Sequence, residues 1–480
     1  MRPDPLKHYA RSRAWCEWDG FSQWAEHAAA ALLSADAPAL PPFHLLSLPG
    51  ITPAQQQAAA TRWMADRIEA NAEVDAAVQA GFVDAPQVES RRSDKALSPG
   101  ERPRIRLAYL SCDFHQHATA LLMIEMLEAH DPTQFELHAY SYGADDGRGM
   151  RQRLSARFDH FTDIQSLSDA EAAQRIHADG IDILVDLKGY TARTRTMVLT
   201  HRPAPLQVNF LGYPGTLGGQ VCDYLISDRF ITPELSAADY SEALACLPHS
   251  YQPHGRQHTH LPAPSRATLG LPEDGLVLCC FNQSYKFTPE VFGIWCLLLE
   301  AAPQSVLWLL ANPQTEGNLR QEALQRGIAP HRLVFAPDAP QEAHLARLQQ
   351  ADLVLDTAPY NAHTTASDAL WAGVPVLTWA GDTFASRVAG SLLHAVGLPE
   401  LVTHSLGDYA ELALSLVETP ERLQTLRDKL AASRLQAPLF DVAGYTRDIE
   451  ALFTAMWARH AAGLPPAALG ARDVDRHTQR

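Results

Sequence analysis

Apolar and polar positions change rhythm twice along the chain. Ala25–Ser34 and Pro53–Ala80 are rich in Ala, Gln and Glu and show no strand-like alternation, which predicts helices over residues 1–100. The polar run from Glu89 to Gly100 reads as a linker. From Arg104 short β-type runs take over: Arg104–Ser111, Phe135–Tyr142, Ile181–Leu187, Leu206–Leu211 and Tyr224–Ser227. Helical segments such as Leu121–Ala129 and Ala170–Ala178 fall between them. Periodicity vanishes around Pro248–Pro272, where Pro and His cluster. A second series follows: Leu276–Phe281, Ser305–Leu310, Leu333–Ala336, Leu353–Asp356 and Val374–Thr378, closed by a long helix over Val442–His460. Strands alternating with helices predict parallel sheets with helices on both faces. The expected layout is a helical region at 1–100, a Rossmann-like domain at 101–250, a linker at 251–274, a second Rossmann-like domain at 275–462 and a disordered tail at 463–480. No repeat of about 34 residues is visible, so the first region holds at most a fragment of a helical array.

Composition narrows the class. Of 480 residues, 46% are hydrophobic and 20% charged, the profile of a globular protein, and no apolar stretch is long enough to span a membrane. The net charge of −16 disfavours nucleic acid and anionic membranes as partners, so an anionic ligand needs a local concentration of donors. Seven cysteines, several inside apolar runs, read as buried free thiols. The N-terminus has no secretory h-region, and a cytoplasmic enzyme is the expectation.

Four segments stand where chemistry belongs, just after strands. In the first, a strand ends at Asp356, a turn follows, and a helix starts near Thr364. Its N–H groups and the Thr364 and Thr365 hydroxyls suit a phosphate, or the threonines merely cap the helix. In Phe281–Lys286, Lys286 can neutralise a diphosphate or be a solvated surface charge. In Ser111–His117, His117 is either a reacting group or an ordinary loop histidine. In Leu211–Thr216 the glycines permit close approach of a ligand or form a plain turn. His249, His254, His258 and His260 are read as a flexible loop. The one D-x-D, Asp473–Asp475, lies in the tail, so no metal or other cofactor is expected.

Together these segments resemble the O-GlcNAc transferase family, including bacterial members and SPINDLY-like relatives, from about Trp15 to His460. The matching stretches are Leu107–Phe114, Asp179–Val185, Arg202–Gln207, Leu211–Thr216, Phe281–Gln283 with Tyr285–Lys286, and His363–Thr365 with Asp368. The resemblance implies a GT-B fold, with two Rossmann-like domains facing a cleft, and an inverting transfer of sugar from a UDP-sugar to Ser or Thr hydroxyls of protein. It assigns the diphosphate to Lys286 and Gln283 with His363, Thr364 and Thr365 beside it, places Tyr285 among the donor-binding residues, and gives the ribose to Asp368 and the uracil to the Ala339–Arg347 segment, with His344 and Arg347 in agreement. It puts the Leu211–Gly212 backbone near the sugar and His117 at the sugar–acceptor junction. His117 is the first candidate for general base and His177 the second, with a donor phosphate oxygen as the alternative. Gln174 stands where animal relatives have a carboxylate proposed for that role. Gln341 replaces a Lys, and Tyr360 replaces a small residue beside the acetamido group, which favours a sugar without N-acetyl. Donors other than UDP-GlcNAc (UDP-glucose, GDP-fucose) and a non-catalytic sugar-nucleotide sensor remain the alternatives.

Overall fold

The computed structural model describes residues 5–34, 41–82, 104–256 and 261–470. The linker expected at 89–100 and the D-x-D lie outside them. Two compact units result. One comprises residues 38–43, 53–255 and 442 onward; the other comprises residues up to 37, 44–52 and 256–441. They are called the N-unit and the C-unit below.

The N-unit sheet holds β1 (Ile105–Ser111), β2 (Phe135–Ser141), β3 (His160–Asp163), β4 (Ile183–Asp186), β5 (Leu206–Asn209), β6 (Tyr224–Asp228) and β7 (Ala243–Leu247) in the order β3-β2-β1-β4-β5-β6-β7. The C-unit sheet holds β8 (Val277–Cys280), β9 (Val306–Leu310), β10 (Leu333–Ala336), β11 (Leu353–Leu355), β12 (Val376–Trp379) and β13 (Val402–Thr403) in the order β10-β9-β8-β11-β12-β13. All these pairings are parallel. Central strands such as β4, β5 and β8 are buried at every position, as expected of strands covered on both faces. Each sheet runs outward one way from its first strand and then reverses, between β1 and β4 and between β8 and β11. The crevice at the carboxyl ends there is where such folds bind ligands.

Three strands escape the hydrophobic pattern. β3 reads HFTD and is half exposed at an edge. β7 reads ALACL, as compatible with a helix as with a strand, and β13 has only two residues.

The long final helix, Val442–Ala461, was expected in the second domain but packs in the N-unit. Its Glu450 accepts from the His130 ring at 2.9 Å and from the Asp131 N–H at 2.7 Å, while Tyr109 meets the other nitrogen of His130 at 3.0 Å. The helical N-terminal region is likewise shared between units. Helices Pro5–Trp15 and Phe21–Leu33 join the C-unit, and Pro53–Phe82 joins the N-unit.

The expected linker starts too early. Tyr251, Gln252 and His254 are buried in the N-unit, and the Tyr251 N–H donates to Asp228 at 2.8 Å. His254 is therefore not part of a flexible loop; residues 257–260 lie outside the described chain. The expected tail is held as far as residue 470, because Leu469 exchanges hydrogen bonds with Leu244 and Cys246 of β7. All seven cysteines are free thiols. No helix among the described residues is long and apolar enough to cross a membrane.

Candidate active site

In the C-unit, β8 and β11 stop side by side, and the loops that follow them interlock. After β8 the chain makes a 3-10 turn, Ser284–Lys286, before the helix Pro289–Ala301, which Thr288 caps with its side chain. After β11 it runs through Asp356–His363 into the helix Thr364–Trp371. Lys286, expected beside this second turn, reaches it: its Nζ donates to the Asn361 carbonyl at 2.7 Å and lies 3.8 Å from the Tyr360 ring centroid. Lys286 is buried rather than solvated. Burial pulls its pKa below the ordinary lysine range, against the pull of Asp356 and Cys280, and Arg13 lowers it further.

Two residues that sequence reasoning passed over hold this arrangement. Asp356 is buried and accepts from the Thr357 N–H at 2.7 Å, from Thr378 at 2.6 Å and from the Ala362 N–H. Burial pushes its pKa up, and these bonds with the Lys286 charge pull it back. Asn282 donates to Thr357 at 2.8 Å and accepts from the Thr365 hydroxyl at 2.5 Å, tying the β8 loop to the β11 loop. That second bond corrects an expectation: the Thr365 hydroxyl proton goes to Asn282, so it is not offered to a phosphate. Asn282 sits inside the quoted Phe281–Gln283 stretch; the signal was present, but its partners are 75 to 83 positions away.

Thr364 and Thr365 precede the first intrahelical bonds, from Ala366 and Ser367 N–H to the His363 carbonyl. Helix-start N–H groups of this kind bind anions. Gln283 opens the 3-10 turn, and the Tyr285 ring packs 6.3 Å from Tyr360. Asp368 is buried and accepts from Gln341 at 3.1 Å. Arg347 lies over Phe281 and donates to His344 Nδ1 at 3.1 Å. Phe281, Asn282, His344, Ala362 and Thr365 line one small cavity. The helix Pro5–Trp15, part of the region expected to be helical, braces the Lys286 turn. Ser284 donates to the Ala14 carbonyl at 2.9 Å, and Asn318 donates to the Trp15 carbonyl at 2.8 Å.

In the N-unit the corresponding crevice gathers the loops after β1 and β4. Asp113 is buried, 2.7 Å from the Lys188 ammonium and 3.5 Å from His117 Nδ1. Burial would raise its pKa, but His117 and Lys188 hold it below the usual carboxylate range. Sequence reasoning missed Lys188, which nothing local distinguishes from a surface lysine. Gly212 needs no ligand to explain it. A Cβ there would stand 1.9 Å from the Leu187 carbonyl oxygen, so the glycine serves loop-to-loop packing, beside Leu211 at φ 66°. His177, near the end of the helix Asp169–Ala178, precedes β4 and so lies at the amino end of the sheet, while His117 follows β1 at the carboxyl end. The two candidate bases are at opposite edges, because the crossover helix runs back against the strands.

Three site histidines share one tautomer. His117 Nδ1 accepts the Thr119 N–H at 3.2 Å, His344 Nδ1 accepts from Arg347, and His363 Nε2 donates to the Ala385 carbonyl at 3.2 Å. A backbone N–H or guanidinium only donates and a carbonyl only accepts, so each ring carries its proton on Nε2. Burial lowers the pKa of all three, most strongly at His363. A lowered histidine pKa means the neutral form persists as pH falls. Nitrogen-15 NMR of the rings should therefore find all three mostly in the neutral, Nε2-protonated form at pH 6.5, whereas an exposed histidine is half charged there.

The profile of glycosyl transferase family 41 matches residues 89–264 and 253–449. The chain belongs to this family. Curated relatives agree. A probable UDP-N-acetylglucosamine–peptide N-acetylglucosaminyltransferase (SEC) of Arabidopsis thaliana is 38% identical over 371 residues, covering 76% of this chain and 38% of its own length. The UDP-N-acetylglucosamine–peptide N-acetylglucosaminyltransferase of Caenorhabditis elegans is 31% identical, covering 75% and 41%. The chain thus spans roughly 40% of the length of these family 41 relatives. Among solved structures, a mutant of the Thermobaculum terrenum O-GlcNAc transferase superimposes with a TM-score of 0.69 at 27% identity, covering 94% of this chain and 97% of that one. The two-sheet GT-B architecture of the family 41 chain follows from that match.

Proposed function

We propose that this chain transfers N-acetylglucosamine from UDP-GlcNAc, with inversion, to Ser or Thr hydroxyls of protein acceptors. The observation that carries the reading is the buried Lys286 ammonium beside the Asn361–Thr365 turn, at the reversal point of the C-unit sheet. In the reaction the acceptor oxygen bonds to the anomeric carbon, the bond from that carbon to the β-phosphate oxygen breaks, and its electron pair stays on the diphosphate. Lys286 and the helix-start N–H groups meet the charge that develops there. His344, Arg347 and Phe281 suit the uracil, and Asp368, alongside its Gln341 bond, the ribose. The activity and donor of the named relatives support the choice of substrates.

The tautomers refine two roles. His363 directs its Nε2–H to Ala385, so Nδ1 offers a lone pair. That suits a sugar hydroxyl, not a phosphate oxygen. His117 has its lone pair on Nδ1, turned to Thr119, and presents an N–H at Nε2. We therefore read it as a donor contact and not as the base. His177 is also a poor base, being at the far edge of its sheet. A donor phosphate oxygen is left as the proton acceptor, and no divalent ion is assigned to the diphosphate. Turnover is expected to persist in EDTA; loss restored by Mn²⁺ would overturn this part of the reading.

A thermal-shift panel tests the donor. UDP and UDP-GlcNAc should raise the melting temperature, since a ligand of the folded state stabilises it, and GDP-fucose should not. Stabilisation by GDP-fucose but not by UDP would replace the proposed donor. UDP-glucose outranking UDP-GlcNAc would point to the narrowing effect of Tyr360, whose buried ring lies over Lys286.

A further inference from the structure

The edge of the N-unit sheet carries a cluster that the transfer reaction does not use. Glu136 and His138 alternate on β2 and so project from one face. His160 opens edge strand β3 and is the direct register partner of His138, with the two rings 4.5 Å apart. Glu136 Oε1 lies 3.0 Å from His138 Nε2 and 3.4 Å from His160 Nε2. All three potential ligand atoms fall within 4.8 Å of one another.

We propose that Glu136, His138 and His160 bind a divalent ion of borderline softness, Zn²⁺ being the best match, and that the ion clamps β3 to β2. Two imidazoles and a carboxylate are a zinc-type donor set. Tetrahedral bonds of 2.0–2.1 Å put neighbouring ligand atoms about 3.3 Å apart, close to the two separations found. The carboxylate is divided in a way that fits this role. Oε1 faces the two rings, while Oε2 is held by Arg104 at 3.1 Å, so the guanidinium orients the ligand without occupying the metal position. Arg106 stands farther off, 3.9 Å from Oε1. His160 is 58% exposed on its side chain, which leaves an ion accessible from solvent.

The need for a clamp is local. β3 has four residues, pairs with one strand, and exposes both of its ends. The cluster lies on the amino-terminal half of the sheet, since Glu136 pairs with Arg106 and His138 with Ala108. The candidate active-site loop begins only after Ser111, at the other end of β1. The ion is thus structural and has no part in glycosyl transfer.

Calorimetric titration of the full chain with ZnCl2 tests the site. The wild type should bind one equivalent more than the H160A variant, and Zn²⁺ should raise the melting temperature of the wild type more than that of H160A. His160 is exposed, so H160A should melt like the wild type in EDTA, which separates lost binding from lost folding. E136Q should weaken the same step at least about 10-fold. Equal Zn²⁺ stoichiometry and equal thermal shifts in wild type and H160A would overturn the proposal.

Discussion

Replacing Lys286 by alanine is expected to lower kcat at least about 100-fold, with a much smaller change in donor KM. In the proposed reaction the charge on the leaving diphosphate grows as the glycosidic bond breaks, so a cation placed against it is worth more in the transition state than in the ground state. Burial strengthens the effect by removing the water that would screen the ammonium. The Asn361 carbonyl and the Tyr360 face hold the amine in place before the donor arrives. The pH profile should carry the same signature. Burial lowers the Lys286 pKa, so the ammonium is lost on raising the pH sooner than an ordinary lysine would lose it. The rate should fall along an alkaline limb, and the residual activity of the alanine variant should lack that limb. Steady-state kinetics across pH checks both points; near-normal turnover in K286A would remove the leaving-group role.

The second large effect is on stability. Asp356→Ala should cost about 3–5 kcal/mol, the range for removing one partner from a buried charged network. It leaves the Thr357 and Ala362 N–H groups and the Thr378 hydroxyl without their acceptor in a dry environment, and it removes the negative charge that balances Lys286. Asp356→Asn should cost much less. Its carbonyl oxygen can keep the two backbone donors, and the Thr378 hydroxyl can rotate to accept from the new amide. Chemical denaturation followed by fluorescence measures the difference, and UDP should still stabilise D356N but not D356A. Equal stability of the alanine variant and the wild type would show that the loop does not depend on this carboxylate.

Much of the fold was legible because buried parallel strands are nearly continuous apolar runs, and ten of them stand out between polar turns. β3 and β13 were illegible for the converse reason: an edge strand or a two-residue strand buries too little to leave a pattern. The candidate site was legible as local stretches, Phe281–Lys286 and His363–Asp368, which the fold brings together. It was illegible where a residue acts through a distant partner. Asn282 meets Thr357 and Thr365, Asp113 meets Lys188, and the helix Pro5–Trp15 meets the turn at Ser284. None of these pairs has a sequence spacing that elementary structure explains.

The chain's own order of apolar runs determined two parallel α/β sheets, and its loop motifs determined where the proposed sugar-nucleotide site falls in the second. Those follow from short-range physics: strand periodicity, helix starts and the position of loops after strands. Only the tertiary structure decided which unit takes the last helix, which hydroxyl proton is already spent, and which nitrogen of each histidine carries its proton. The helix placement, the Thr365 bond to Asn282 and the His363 bond to Ala385 join residues tens to hundreds of positions apart, while the His117 and His344 contacts are local, but in every case the geometry is set by packing.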